Sequence, residues 1–101
     1  MNSKYIQVCD RLDWTVHEYK DRSVDVAKQS PAGEDFSFGV SSENFVDEVK
    51  QYAAYFNVDE HIEMWIAARR EGVCGIPSSI RELVKDAEAI DKMLHELAAA
   101  L

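Results

Sequence analysis

The spacing of the apolar residues changes once along this chain, near Ser42, and this change constrains the fold more than any other feature of the sequence. Before Ser42, apolar and polar residues alternate, which is the period of a strand with one buried face. After Ser42, apolar residues recur every three or four positions, as they do on one face of an amphipathic helix. The sequence therefore predicts a strand-rich segment, 1–41, followed by a helical segment, 42–101.

Three short strands are predicted in the first segment. Their alternating apolar residues are Leu12, Trp14 and Val16, then Val24 and Val26, then Phe36, Phe38 and Val40. Polar turns at 20–23 and 30–35 separate them, and consecutive strands with short connections usually pair antiparallel. Residues 4–9 fit either a further strand or a short helix.

The first two of three predicted helices share a similar design. The first carries its apolar face on Phe45, Val49, Tyr52, Ala53 and Phe56, and Ser41 or Ser42 is placed to cap it. The second runs from about Asp59 to Arg70, with Ile62, Trp65 and Ile66 on its apolar face. Asn57 and Glu60 have the spacing of a capping box, and Gly72 and Pro77 prevent the helix from continuing.

The third helix follows Pro77, where Ser79 and Glu82 match the capping box. Its apolar residues are spaced alternately by four and three, at Leu83, Ala87, Ile90, Leu94, Leu97 and Leu101. Such a stripe usually packs on its own domain, but the same heptad spacing forms the seam of coiled-coil dimers. A homodimer through Leu83–Leu101 is therefore the alternative.

These elements predict one α+β domain over residues 1–101, in which a three-stranded antiparallel sheet is followed by three helices packed on one face. A chain of 101 residues with 47% apolar residues is large enough to bury one core. We expect Trp14 and Trp65 to be largely buried in that shared core.

The whole chain has a formal net charge of −8, and its acidic residues are concentrated in one segment. Residues 43–63 hold six acids against Lys50 alone, a net charge of −5, at Glu43, Asp47, Glu48, Asp59, Glu60 and Glu63. This balance disfavours direct binding to nucleic acid or to an anionic membrane. The same acids favour the N-terminus of a helix and improve solubility, so they have explanations that need no partner.

The acidic residues are also the candidate binding site for a partner protein. Carboxylates three or four residues apart on a helix lie about 5–6 Å from one another. Phosphates along a DNA strand have a comparable spacing. An acidic helical surface therefore predicts a partner that itself binds nucleic acid through basic residues.

No constellation of catalytic or metal-binding residues is recognisable in the sequence. His17, His61 and His95 stand outside any zinc motif, and Asp91 with His95 is the pattern of a solvated pair on a helix. Cys9 and Cys74 read as free thiols of a cytoplasmic protein, since no secretory signal is present. We expect no cofactor and no metal, and an enzyme that uses Cys74 or His61 has no supporting motif.

The helical half resembles small accessory proteins of bacterial mobile elements and phages. The resemblance rests on the segments YAAYFNVDEH at 52–61 and GIPSSIREL at 75–83. Such elements often encode small acidic inhibitors of host defence, of the anti-CRISPR or antirestriction type, so the resemblance implies this class of function. It implies no catalytic residues.

Two functions therefore follow from the sequence. The first is a non-enzymatic inhibitor that binds a basic, nucleic-acid-binding protein, such as a CRISPR effector or restriction enzyme, through its acidic surface. The second is a small structural or protein-interaction module that dimerises through its C-terminal helix or docks a partner on an aromatic patch.

Overall fold

A computed structural model describes residues 1–70 and 79–101. In chain order the elements are α1 (Ser3–Arg11), β1 (Thr15–Glu18), β2 (Ser23–Gln29), β3 (Asp35–Ser41), α2 (Phe45–Tyr55), α3 (Val58–Arg70) and α4 (Ile80–Ala100). The three strands form one antiparallel sheet in the order β1-β2-β3, and three helices follow it. This arrangement confirms the predicted α+β fold class and adds a helix before the sheet.

One face of the sheet forms part of the core, as the alternating pattern predicts. The buried side chains of this face are Val24, Val26, Phe36, Phe38 and Val40. The residues between them, such as Asp25 and Ser37, are exposed. The sheet therefore needs helices on one face alone, which α2 and α4 help to supply.

The segment that the sequence left open as strand or helix is helical. Asn2 caps α1, since its Oδ1 accepts a hydrogen bond from the N–H of Lys4 at 2.8 Å. The helix ends where Asp13 adopts a left-handed conformation with φ of 64°, and the N–H of Trp14 donates to the carbonyl of Cys9 at 2.8 Å. Because this turn takes up residues 12–14, β1 begins at Thr15 rather than near Leu12.

The start of α2 differs from the predicted cap. Asn44 occupies the N-cap position, with no side-chain hydrogen bond, so neither Ser41 nor Ser42 caps the helix. Ser41 belongs to the end of β3, and its hydroxyl and backbone N–H both donate to Oε2 of Glu48 in α2. Further along α2, Tyr52 stacks on Phe38 with ring centroids 4.4 Å apart, which holds the helix over β3.

The predicted caps of α3 and α4 are confirmed. Oδ1 of Asn57 accepts from the N–H of Glu60 at 3.0 Å, and Oγ of Ser79 accepts from the N–H of Glu82 at 3.1 Å. Both hydrogen bonds satisfy a backbone donor in the first turn of a helix. Gly72 and Pro77, which were predicted to end α3, and Cys74, which was predicted to be a free thiol, lie outside the described residues.

The heptad stripe of α4 belongs to the interior of the chain. Its members Leu83, Ala87, Ile90, Leu94 and Leu97 are at most 2% exposed, and Leu101 is half-buried. The helices α1, α2 and α3 contact α4, so these buried side chains are not accessible to a second copy. Trp14 is 1% exposed, as predicted. Trp65 is only half-buried, which differs from the prediction, because the apolar face of α3 is incompletely covered by the rest of the protein.

No helix within residues 1–70 and 79–101 combines the length and hydrophobicity needed to cross a lipid bilayer.

Candidate protein-interaction surface

The acidic residues at the start of α2 have different environments. Glu43 and Asp47 are exposed, and Asp47 lies in the first turn of the helix, where a negative charge is favourable. Glu48 is half-buried and is the acceptor for Ser41 described above. Of the three, Glu48 has a clear structural task, because it links the end of β3 to α2.

The acidic residues of α3 are all exposed. Asp59 and Glu60 lie in its first turn, and Glu63 follows at the next turn. The N-terminal cap is made by the Asn57 side chain and the Glu60 backbone, so the Glu60 carboxylate is not needed for it. All three carboxylates of this helix face water and are available to a partner.

The six predicted residues form two groups rather than one cluster. Glu43, Asp47 and Glu48 are at the N-terminal end of α2, whereas the acids of α3 follow its C-terminal end. At 1.5 Å of rise per residue, α2 rises by about 12 Å from Asp47 to Tyr55. We define the acidic surface by the five exposed members of the two groups, Glu43, Asp47, Asp59, Glu60 and Glu63.

A groove of about 480 Å³ lies between the two acidic groups. It is bounded by β3, α2 and the start of α3, and its lining includes Gly39, Tyr52, Tyr55, Glu60, His61 and Met64. Tyr55 and Met64 are 79% and 59% exposed, which is unusual for large side chains with apolar character. The groove thus places exposed aromatic and thioether groups beside carboxylates.

Sequence reasoning did not find this groove. Tyr55 and Met64 are visible in the sequence as apolar residues off the apolar faces of their helices, which is the signal that a surface patch leaves. Gly39 carries no such signal. It joins the groove because β3 is at the edge of the sheet beside α2.

A buried polar network underlies the groove at His61. Nε2 of His61 lies 3.0 Å from Oε1 and 3.3 Å from Oε2 of Glu34, and both side chains are at most 5% exposed. Burial raises the pKa of Glu34, the bond to His61 opposes this change, and the neighbouring Asp86 reinforces it. The pair joins the β2–β3 loop to α3.

Asp86 of α4 completes the network. Its Oδ2 accepts from the hydroxyl of Ser30 at 2.7 Å, and its Oδ1 accepts from the N–H of Ala32 at 3.0 Å. The Ser30 hydroxyl in turn accepts from the N–H of Glu34 at 2.9 Å. These bonds satisfy buried polar groups on three segments of the chain, so the network has a structural function.

The remaining candidate groups give no catalytic arrangement in the part of the chain that is described. Asp91 and His95 form an exposed pair on α4, with Nδ1 of His95 also 2.8 Å from the Asp91 carbonyl. Burial, with a smaller contribution from Asp10, raises the pKa of the Cys9 thiol to about 11, which makes it a poor nucleophile. Among residues 1–70 and 79–101, no three His, Cys, Asp or Glu side chains are grouped to hold a metal ion.

The fold and the groove define this chain as a small α+β protein with a solvent-exposed acidic surface. Comparison with protein-family models, with curated proteins and with solved structures finds no match.

Proposed function

We propose that this chain is a non-enzymatic inhibitor of a basic, nucleic-acid-binding defence protein, such as a CRISPR effector or a restriction enzyme. In this proposal the acidic surface occupies the basic channel in which that protein would hold its nucleic acid. In this proposal, inhibition takes place in the cytoplasm. The proposal also includes membership of the anti-CRISPR or antirestriction class, which the resemblance of the helical half implies.

The observation that carries the proposal is the position of the exposed carboxylates around the groove. Glu48 and Glu60 line the groove together with the exposed Tyr55. Asp47, Asp59 and Glu63 are exposed on the same two helices. Charge complementarity accelerates association and excludes partners of the wrong sign. Tyrosine supplies contact area at little entropic cost and is enriched where binding energy is concentrated.

Net charge alone explains these features less well. A solvated acidic face has no need of a concave surface lined by aromatic rings, nor of a tyrosine that is 79% exposed. The alternative function, a structural module that dimerises through α4, loses its seam because that stripe is buried within the chain. A module that docks a partner on the aromatic groove stays compatible with the same surface.

Protection of foreign DNA tests the proposal. The chain is expressed in cells that carry a CRISPR or restriction system and are challenged with a targeted plasmid or phage. We expect protection, and we expect the purified chain to displace nucleic acid from the effector more weakly as salt increases, because the contacts are ionic. Absence of protection against every system tested would contradict the proposal and favour the structural module.

A further inference from the structure

Among residues 1–70 and 79–101, no strand pairs with the outer edge of β3, part of which lines the groove. The N–H of Ser42 donates to the carbonyl of Arg22, and the N–H of Ser30 donates to the carbonyl of Glu34. Antiparallel strands alternate between residues whose backbone groups face the partner strand and residues whose groups face away. The even-numbered residues of β3 therefore face β2, and the odd-numbered residues, Gly39 among them, face the free edge.

In the described part of the chain, this edge is only partly protected against a further strand. Natural edge strands are commonly guarded by lysine, proline or a bulge, because their free N–H and C=O groups attract other chains. The sequence of β3, DFSFGVS, contains neither lysine nor proline. At Ser41 the outward N–H is covered by Glu48, whereas Gly39 lines the groove and is exposed.

Side-chain packing does not account for the glycine at position 39. A Cβ atom built on Gly39 would approach one atom within 4 Å, the Val24 carbonyl oxygen at 4.0 Å, so packing does not require glycine there. A glycine in a strand often marks a place where another backbone approaches closely. An added strand would lie about 4.8 Å from β3, on the edge where Gly39 also lines the groove.

The groove also indicates the chemistry of that strand. Glu60 lines it directly, with Glu63 and Asp59 on the same helix, and Tyr55 presents an exposed ring. Carboxylates pair with lysine and arginine, and a tyrosine ring face attracts the same cations. A second copy of this chain would instead bring a second set of carboxylates to the groove and be repelled.

We infer that the groove receives an extended, lysine- or arginine-bearing segment of the partner protein, which adds to β3 as a fourth strand at Gly39. The inference rests on the proposed function, since it names the part of a basic partner that this surface holds. Backbone hydrogen bonds to the free edge supply affinity, and the groove selects the side chains, as in other complexes formed by strand addition.

Amide hydrogen exchange at Gly39 tests the inference directly. The probe is a capped peptide of alternating lysine and valine, and the same peptide with glutamate in place of lysine is the control. With the lysine peptide at roughly ten times its Kd, exchange of the Gly39 amide is expected to slow by about tenfold. Unchanged exchange at saturation would overturn the inference, as would equal protection by the glutamate peptide.

Two substitutions at the same position separate pairing from side-chain effects. Gly39→Pro removes the outward N–H, at an edge position where proline is tolerated, and should weaken binding of the lysine peptide by about tenfold. Gly39→Ala keeps the N–H in open space and should bind as the wild type does. If Gly39→Pro and Gly39→Ala bound the lysine peptide with equal affinity, the inference would be overturned. If Gly39→Pro fails to fold, amide exchange at Gly39 in the wild type is the deciding measurement.

The same variants distinguish this inference from the proposed function. A third variant, Asp47→Lys with Glu63→Lys, reverses charges of the acidic surface. Suppose that the wild-type chain protects DNA, that this charge reversal abolishes protection, and that Gly39→Pro keeps both protection and full binding. Strand addition is then overturned, whereas the proposed function is not. If the wild-type chain protects nothing, the proposed function is wrong. The Gly39 amide then still reports whether the edge accepts a basic strand.

Discussion

The imidazole of His61 and the carboxylate of Glu34 meet 3.0 Å apart inside this protein, although the two residues are 27 positions apart in the chain. His61 belongs to α3 and Glu34 to the β2–β3 loop, so their contact fixes the helix that carries part of the acidic surface against the sheet. His61 also lines the groove. His61 therefore belongs both to the buried polar network and to the lining of the groove.

Glu34 makes the stability of the protein depend on pH. Because burial raises its pKa, the folded protein holds this proton more tightly than the unfolded chain does. The resulting stabilisation is complete below the unfolded pKa of about 4.3 and is lost as pH rises through the raised folded value. We expect the unfolding free energy of the wild type, relative to Glu34→Gln, to fall as pH rises from about 4 through the raised folded pKa.

Chemical denaturation of both proteins across this range measures the effect. A difference that grows with pH would contradict the account, because it would mean that the charged carboxylate is preferred in the folded state.

Asp86 should be important for stability although it is buried and is not part of the acidic surface. Asp86→Ala leaves the Ser30 hydroxyl and the Ala32 N–H without their acceptor, and we expect a loss of about 1–3 kcal/mol. Asp91→Ala on the same helix is the control, since Asp91 makes a surface pair with His95, and should change stability by less than about 0.5 kcal/mol. Equal losses in urea denaturation would argue against the network.

The two tryptophans should differ in their contributions to stability. Trp14 is 1% exposed and packs edge-on against Phe36 and Phe38, so Trp14→Ala should cost about 3–5 kcal/mol. Trp65 is half-buried, and Trp65→Ala should cost about 1–2 kcal/mol. Thermal or urea unfolding checks the order, and a larger loss at Trp65 would contradict the described packing.

The Cys9 thiol should react only when the protein unfolds. It is fully buried, and its pKa of about 11 leaves little thiolate at neutral pH. In a Cys74→Ser variant, where Cys9 is the sole remaining thiol, labelling by a disulfide reagent should be slow in buffer and accelerate with urea. Rapid labelling of the native variant would show that Cys9 is accessible.

Local patterns in the sequence were sufficient to predict β2, β3 and the caps of α3 and α4. Alternation, and the spacing of Asn57 from Glu60 and of Ser79 from Glu82, act within a few residues. The end of α1 was missed because Asp13, rather than a glycine, adopts the left-handed conformation there.

The groove and the buried network could not be predicted in the same way. Glu34 and His61 each look like an ordinary surface residue in the sequence, and burial follows from tertiary packing that brings distant segments together. Glu48 illustrates the same limit within the predicted site, since its bond to Ser41 depends on how α2 lies against β3.

The central claim is that position on the surface, and not net charge, makes the acidic residues functional. Asp47→Lys with Glu63→Lys changes one residue of each acidic group, and Glu88→Lys with Glu96→Lys makes the same change of charge on the exposed face of α4. Binding of each double variant to the basic partner, measured at two salt concentrations, compares them directly. We predict that the first pair abolishes binding, since opposed like charges cost several kcal/mol, and that the second retains it. Equal affinities for the two pairs would contradict the account.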